Sequence, residues 1–210
     1  MANVLVVAEV KDGKLKKVVL EMLSKGKELA SQAGGALEGL LIGSGVEGLA
    51  GEMGQYGASK VYVVDSGDLA EYNGDTYANA AAKAIEEIKP GIVLVGASVQ
   101  GKDLAPRLSA KLGAGLASDC TELDIDGGKL VVKRPIYAGK AFAKVTFSSD
   151  MQIASVRPNS LPIADADAGA SAETAKIDAD PGDVKSKVLG TEVSAGDKIE
   201  LTEAEIIVSG

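Results

Sequence analysis

The part of the sequence best suited to chemistry is a loop of small and polar residues that follows a buried apolar run. Its members are Gly96, Ala97, Ser98, Gln100, Gly101 and Lys102. Residues 92–95 (Ile-Val-Leu-Val) form the apolar run and predict a parallel strand covered on both faces. The side chains at 98, 100 and 102 supply donors, and the N–H groups of a helix start can hold phosphate. The loop is therefore a candidate nucleotide site, and the alternative is a packed turn at a subunit interface.

A second glycine-rich stretch also has a pattern associated with nucleotides. Residues 43–48 (Gly-Ser-Gly-Val-Glu-Gly) match G-x-G-x-x-G, and Asp65 closes the next predicted strand, where a ribose-binding acid would lie. The match follows the second predicted strand rather than the first, and further glycines make the helix after it irregular. Because a lone match is a weak signal, close backbone packing is the interpretation we favour over a dinucleotide site.

The composition excludes several classes of function. The 210 residues include no histidine, which excludes histidine-dependent triads, histidine-ligated zinc and histidine general bases. Cys120 is the only cysteine, so no disulfide can form within the chain and a reducing compartment is favoured. A net charge of −8 and 3% aromatic residues argue against nucleic acid as a partner. We predict no catalytic residue and no metal site, since the acids between 164 and 183 lack the spacing of a calcium loop.

The sequence gives no signal for a membrane or an export route. No apolar run approaches the ~20 residues that span a bilayer. The first predicted strand follows almost at once after Met1, without a recognisable signal or transit peptide. We therefore expect a cytoplasmic bacterial protein, or a protein of the mitochondrial matrix if a transit peptide has been removed.

Strand and helix signals alternate through the first 120 residues, which predicts βαβ units and a parallel sheet. The predicted strands are 3–8, 37–42, 61–64 and 92–95, and the predicted helices are 16–33, 75–88 and 103–112. We expect Asp103 to cap the last helix, Pro106 to lie in its first turn and Gly113 to end it. Asp103 and Arg107 are spaced to pair on its surface, together with Lys102.

Helical signals nearly disappear after Cys120. Residues 123–125 and 130–132 flank the turn Asp126-Gly127-Gly128 and predict a hairpin, and 141–147 and 152–156 predict further short strands. The predicted fold class is α/β: a three-layer, doubly wound, mostly parallel, Rossmann-like sheet with an antiparallel β extension after residue 120. That extension could continue the first sheet or form a small β subdomain beside it. Residues 164–172 are predicted to be a surface loop.

Three linked motifs resemble those of the electron-transfer flavoprotein alpha subunit. They are Gly96-Ala97-Ser98 with residues 101–108 (Gly-Lys-Asp-Leu-Ala-Pro-Arg-Leu), residues 134–141 (Arg-Pro-Ile-Tyr-Ala-Gly-Lys-Ala), and Val156-Arg157-Pro158. The resemblance is collinear over essentially the whole chain. It implies an electron carrier rather than an enzyme, with a beta subunit as its partner and one FAD in the full heterodimer. It also implies electron transfer from acyl-CoA dehydrogenases of fatty acid β-oxidation to a quinone oxidoreductase, without direct membrane insertion.

The resemblance also divides the chain. Residues 1–189 correspond to the N-terminal α/β domain of the alpha subunit, 190–203 to a linker, and 204–210 to the first strand of an FAD-binding domain. The chain is thus expected to end where the flavin domain begins, and no cofactor is expected on it. Arg134 and Tyr137 are expected to order the strand crossover and contact partner domains.

Two readings of the function from other classes stay open. The first is an AMP- or ATP-binding module that resembles the universal-stress-protein type, with the loop at 96–102 as its site; alpha subunits are thought to have lost the AMP that beta subunits hold on a comparable loop. The second is an NAD-dependent oxidoreductase that uses residues 43–48. It ranks last, because no acid–base residue accompanies a hydride transfer.

Overall fold

A computed structural model describes residues 2–182, 186, 188–190, 204 and 206–209. The strands are β1 (Val4–Val7), β2 (Val10–Lys11), β3 (Lys14–Leu15), β4 (Leu37–Gly43), β5 (Lys60–Asp65), β6 (Ile92–Gly96), β7 (Gly115–Cys120), β8 (Glu122–Asp126), β9 (Lys129–Ile136), β10 (Ala141–Thr146), β11 (Gln152–Val156) and β12 (Glu173–Lys176). The α-helices are α1 (Lys17–Ala33), α2 (Ala50–Gln55), α3 (Gly74–Ile88) and α4 (Val99–Leu112), and short 3₁₀ turns lie at Glu47–Leu49 and Gly67–Leu69.

Seven parallel strands form the main sheet, in the order β12-β5-β4-β1-β6-β11-β7. Both of its faces are covered, which explains the continuous apolar runs of β1 and β6. Val4 and Val6 pack in the core under α1 and α2, whereas Leu5 and Val7 pack in the core under α3 and α4. The three-layer α/β class predicted from the sequence is therefore confirmed.

The two long helices that the apolar periodicity predicts are present almost to the residue. Helix α1 ends at Gly34, which adopts a left-handed conformation with φ 66°. Gly26 inside this helix faces the sheet, because a Cβ there would lie 2.8 Å from Leu37 Cδ1. Helix α3 begins at the Asn73 cap, whose Oδ1 accepts a hydrogen bond of 3.0 Å from the Asp75 N–H.

The start of α4 differs from the prediction. The helix begins at Val99 rather than at 103, and its cap is Ser98, whose Oγ accepts a 3.0 Å hydrogen bond from the Gly101 N–H. The prediction of Asp103 as the cap is therefore wrong, and Pro106 lies in the interior of the helix instead of its first turn. Glycine at 101 resembles a loop residue, yet the helix needs it there: a Cβ would lie 1.7 Å from the Gly96 carbonyl oxygen. The predicted end at Gly113 is confirmed.

A separate three-stranded antiparallel sheet, in the order β10-β9-β8, packs on the α1 side of the main sheet. Of the two arrangements that the sequence left open, this is the small β unit beside the first sheet, and the predicted hairpin at 123–132 is confirmed. Strand β11 was predicted as part of the antiparallel region but pairs in parallel between β6 and β7. Gln152 joins the two sheets, since its Oε1 accepts a 2.7 Å hydrogen bond from the Leu130 N–H.

Two strands carry no recognisable signal in the sequence. Strand β7 (Gly-Leu-Ala-Ser-Asp-Cys) has neither an apolar run nor a regular alternation, and β12 follows directly on the predicted loop at 164–172. That loop is largely exposed, as expected. The predicted linker at 190–203 and the predicted strand at 204–210 fall largely outside the described residues, and residues 206–209 belong to no strand. Within the part of the chain that is described, none of the helices has the length and apolarity needed to cross a membrane.

Candidate functional site

The order of the main sheet reverses beside β1. The chain runs from β1 outward through β4 to β5, and then returns to place β6 on the other side of β1. The carboxyl ends of β1 and β6 are therefore neighbours whose connections diverge, which is where α/β sheets tend to bind ligands. The structure brings the predicted loop at 96–102 to this point.

A buried carboxylate already lies at this reversal point. The Ser98 hydroxyl donates a 2.5 Å hydrogen bond to Glu9 Oε2, and Lys16 Nζ lies 3.1 Å from Glu9 Oε1. Glu9 is 8% exposed. Because Ser98 also caps α4, the negative charge of Glu9 lies at the positive end of the helix dipole. An anionic ligand would make the same interaction.

The other residues of the loop pack tightly. The Ala97 N–H donates to the Val156 carbonyl at 2.6 Å, and the Lys102 N–H donates to the Ser98 carbonyl at 2.9 Å. The Tyr72 hydroxyl donates to the Gln100 carbonyl at 3.4 Å. The N–H groups at 97, 101 and 102 thus have acceptors within the protein. This geometry favours a packed turn over a phosphate cradle.

The acid that the second glycine-rich pattern predicts is bound to the glycine-rich loop itself. Asp65 lies where the pattern predicts it, but its Oδ1 accepts a 2.9 Å hydrogen bond from the Gly45 N–H. Gly45 has φ 68°, and a 3₁₀ turn with the six-residue α2 follows in place of a long helix. Asp65 thereby stabilises the loop that a dinucleotide pyrophosphate would have to contact, which supports the backbone-packing interpretation.

The first motif forms a polar network between α3 and α4. Arg107 Nε donates to Asp103 Oδ1 at 2.9 Å, its Nη1 donates to Asp75 Oδ1 at 2.7 Å, and the Tyr72 hydroxyl donates to Asp103 Oδ2 at 2.8 Å. The hydrogen bond from Arg107 holds the pKa of Asp103 below its usual range, and burial raises the pKa of Tyr72. The expected pairing of Asp103 with Arg107 is confirmed, and its role is to hold the start of α3 against α4.

The third motif pairs with the end of β7. Arg157 Nε and Nη2 donate to the two carboxylate oxygens of Asp119, at 3.0 and 2.5 Å. These bonds, with weaker contributions from Lys102 and Arg134, hold the pKa of Asp119 below its usual value. Asp119 has φ 61°, and its N–H donates to Ser155 Oγ at 2.9 Å. The next residue, Cys120, is fully buried, and burial raises the pKa of its thiol to about 12, so the thiol is protonated at neutral pH.

A second buried carboxylate orders the loop that follows Arg157. Glu21 of α1 is 1% exposed, and it accepts hydrogen bonds from the N–H groups of Asn159, Ser160 and Leu161, at 3.0, 3.2 and 3.2 Å. Sequence reasoning missed both Glu21 and Glu9. The available signal was an acid inside an apolar stripe, since Glu21 is flanked by Val18 and Met22 on one face of the helix.

The second motif forms the end of β9 and the turn into β10. Tyr137, Ala138 and Gly139 have φ of 51°, 53° and 83°, and the Tyr137 side chain is 79% exposed. Two successive residues other than glycine in the left-handed region store backbone strain.

Arg134 of the same motif has a buried Nε, which has no hydrogen-bond partner within the described residues. Those residues also contain no cluster of three or more acids or cysteines that could hold a metal ion.

The chain is similar to known proteins along nearly its whole length. The family described as the electron transfer flavoprotein domain matches residues 4–181. The electron transfer flavoprotein subunit alpha of Bacillus subtilis is 35% identical over 208 residues, which are 99% of this chain and 63% of the relative. Protein FixB of Clostridium saccharobutylicum is 37% identical over 212 residues, with the same two shares. Subunit LctC of the lactate dehydrogenase (NAD(+),ferredoxin) of Acetobacterium woodii is 33% identical over 201 residues, 94% of this chain and 48% of the relative. The chain therefore spans less than two thirds of the length of these relatives.

Proposed function

Because the chain belongs to the electron transfer flavoprotein domain family, we propose that it is the N-terminal α/β domain of an alpha-type subunit. In this proposal residues 1–189 are a scaffold that binds a beta-type subunit and supports a flavin-bearing domain. Residues 190–203 are the linker to that domain, and 204–210 begin it. The chain is then part of an electron carrier rather than a catalyst.

The observation that best supports a scaffold role is the meeting of the three motifs on one side of the sheet. The Ala97 N–H of the first motif donates to the Val156 carbonyl of the third. Arg157 of the third motif donates a hydrogen bond to Asp119. The positive charge of Arg134, in the second motif, helps to lower the pKa of the same carboxyl. Segments that are far apart in sequence thus meet at the carboxyl ends of β6, β11 and β7, where Arg157 and Asp119 are partly exposed.

Several N–H groups of the two glycine-rich loops already have acceptors within the chain. Gly45 donates to Asp65, Gly101 to Ser98 and Ala97 to the Val156 carbonyl, so these three groups are not free to bind a pyrophosphate. We therefore place the cofactor of the full heterodimer on the flavin-bearing domain and the partner subunit. In this proposal the chain positions the flavin-bearing domain and the partner subunit, and the flavin carries out the redox chemistry.

We further propose acyl-CoA dehydrogenases of fatty acid β-oxidation as electron donors and a quinone oxidoreductase as acceptor. This choice follows from the resemblance of the three sequence motifs to the electron-transfer flavoprotein alpha subunit, and the relatives of that name support the resemblance. Relatives with other names, such as Protein FixB and the LctC subunit, indicate which other donors should be included in an assay.

Co-expression with a beta-type electron transfer flavoprotein subunit tests the proposal. We expect an alpha–beta complex of one copy each on size-exclusion chromatography with light scattering. We also expect the 210-residue chain, purified alone, to fold and to show no flavin absorbance. Stoichiometric flavin on the chain alone, or no complex with any beta-type subunit, would contradict the proposal. An adenine-nucleotide module remains the second candidate, because the loop at 96–102 lies at the reversal point of the sheet; calorimetry with AMP and ATP tests it directly.

A further inference from the structure

Strand β10 is an open edge of the small antiparallel sheet. Strand β9 pairs with it on one side, and within the described residues no strand pairs with it on the other. Its exposed residues are Phe142, Lys144 and Thr146, which alternate with half-buried ones. An edge of this kind presents a row of backbone N–H and C=O groups, and it is a template for a strand from another chain.

A hydrogen bond of β9 shows which backbone groups of β10 face outward. The Lys133 carbonyl accepts a 2.9 Å hydrogen bond from the N–H of Thr121, on the β8 side of β9. In an antiparallel ladder the two backbone groups of a residue point the same way, and the direction alternates along the strand. Lys144 lies opposite Lys133, so its backbone groups point away from β9. Those of Phe142 and Thr146 point the same way, and no backbone group of the described residues binds them.

The hairpin of β9 and β10 is basic. Residues 127–149 contain no acid, although the chain has a net charge of −8. Lys133 pairs with Glu122 at 2.7 Å. Lys140 and Lys144 are exposed, and neither has an ion pair with any described residue. A strand that lies along β10 would therefore meet positive charge that the chain itself does not compensate.

Two exposed aromatic side chains lie on the same hairpin. Phe142 is 57% exposed and Tyr137, in the strained turn, is 79% exposed, whereas the other aromatic residues of the described chain are buried or half-buried. The Lys133 ammonium lies 4.8 Å from the centre of the Phe142 ring, so the two side chains share one face of the sheet. Aromatic residues are enriched in protein interfaces. Their position beside an unpaired edge favours a protein as the partner.

We propose that β10 pairs with an extended segment of the beta-type subunit that carries acidic side chains, which adds a strand to the β10-β9-β8 sheet. This inference rests on the proposed function, and it names the element that recognises the partner. Backbone hydrogen bonds give such strand addition its affinity, and the side chains give it specificity. A second copy of this chain is a poorer occupant. Strand β10 contains Lys144 and no acid, so pairing two copies would bring like charges together along the edge.

Hydrogen exchange read by NMR, with and without the purified beta-type subunit, tests the pairing. In the chain alone, the N–H groups of Ala143 and Val145 should be protected by β9, and those of 142, 144 and 146 should exchange freely. In the complex these three outward groups should exchange at least about tenfold more slowly. Strand β8 is the control, because it forms the other edge of the same sheet and its exchange should not change.

Substitutions at Lys144 separate the backbone contribution from the charge. Lys144→Pro removes the outward N–H together with the charge, and an edge strand tolerates proline where the missing N–H faces solvent. Lys144→Gln removes the charge alone. Lys111→Gln is the control, since Lys111 is exposed on α4 and has no ion pair with a described residue. Calorimetry at two salt concentrations measures binding to the beta-type subunit, and thermal unfolding reports the folding of each variant.

We expect Lys144→Pro to weaken binding about tenfold or more, because a backbone hydrogen bond to the added strand is lost with the charge. Lys144→Gln should weaken binding about threefold and reduce its dependence on salt. Lys111→Gln should change the affinity by less than about twofold. If Lys144→Pro does not fold, hydrogen exchange of the unmodified chain decides the test.

Unchanged exchange of β10 in the complex, or equal affinities of Lys144→Pro and Lys144→Gln, would overturn the inference and leave the proposed function intact. Failure of the unmodified chain to bind the beta-type subunit would overturn both. Protection of the outward N–H groups in the chain alone, increasing with its concentration, would assign the edge to a second copy and would also overturn the inference.

Discussion

The hydroxyl of Ser98 donates a 2.5 Å hydrogen bond to the carboxylate of Glu9 and thereby joins the ends of β6 and β1. These two strands flank the point where the order of the sheet reverses. In many α/β proteins a ligand phosphate is held at such a point by a helix N-terminus. Here a side chain of the protein supplies the negative charge, and Lys16 balances it from the other side.

Glu9→Gln should lower the free energy of unfolding by about 1–3 kcal/mol, because the amide keeps the shape but loses the charge that Ser98 and Lys16 bind. Chemical denaturation of the isolated chain measures the change. Glu122→Gln is the control: Glu122 is 64% exposed and pairs with Lys133 on the surface, so its loss should cost no more than about 1 kcal/mol.

The Glu9–Ser98 pair also has a consequence for nucleotide binding. We expect calorimetry of the unmodified chain with AMP to show no binding, because the carboxylate of Glu9 would repel a phosphate at the start of α4. Micromolar binding by the unmodified chain would contradict this reading of the Glu9–Ser98 pair and would favour the nucleotide module.

Glu21→Gln should destabilise the loop after β11 more than it destabilises the sheet. The carboxylate accepts three backbone N–H groups, with Oε1 serving Asn159 and Oε2 serving Ser160 and Leu161. A glutamine keeps one acceptor and presents its own N–H groups to the other donors. We expect a loss of about 2–3 kcal/mol in stability.

Hydrogen exchange read by mass spectrometry locates this effect. Peptides that contain residues 159–161 should exchange faster in Glu21→Gln, while those from β1 and β6 should remain protected. Glu28→Gln on the same helix is the control, since Glu28 is 54% exposed and pairs with Lys25 and Gln32 of that helix. Unchanged exchange at 159–161 would show that Glu21 does not order the loop.

Elements with a strong apolar period or a continuous apolar run were predictable from the sequence. Helices α1 and α3 have both the period and clear ends. Strands β1, β4 and β6 are fully buried runs, and β5 is buried at Val61, Val63 and Val64. Strand β7 was not predictable, because its residues (Gly-Leu-Ala-Ser-Asp-Cys) have neither signal and pair only through tertiary contact with β11. The parallel pairing of β11 is equally non-local, since three antiparallel strands separate it from β7 along the chain.

The candidate site shows the same limit. The position of the loop at 96–102 follows from the order of strands and helices, so it could be predicted. The side chains that contact this region could not be predicted, because their partners are far away in sequence. Glu9 contacts Ser98 across 89 positions, and Glu21 contacts Ser160 across about 140. The start of α4 was misplaced because Gly101 resembles a loop residue, although its lack of a Cβ serves close contact with Gly96.

Gly101→Ala tests that close contact. An added Cβ would lie 1.7 Å from the Gly96 carbonyl oxygen, which is backbone and can yield only if β6 and α4 separate. We expect a loss of about 3 kcal/mol or more, at the upper end of overpacking effects. Gly51→Ala is the matched control in α2, where nothing lies within 4 Å of the added Cβ. It should leave the free energy of unfolding unchanged or raise it by up to about 1 kcal/mol. Similar thermal midpoints for the two variants would contradict the contact.

The Asp119–Arg157 pair should make stability depend on pH in the acidic range. The two hydrogen bonds from Arg157 hold the pKa of Asp119 below its usual value. A carboxyl whose folded-state pKa is depressed contributes stability that is fully present above the unfolded-state pKa of about 3.9 and is lost as the pH falls through the folded-state pKa. Asp119→Asn isolates this contribution, because asparagine tolerates the left-handed backbone at φ 61°. The difference in unfolding free energy between the two chains should be about 1–3 kcal/mol at pH 7 and should shrink steadily below pH ~4. A difference that stays constant down to pH ~2, measured by denaturation at each pH, would show that the ion pair is not its cause.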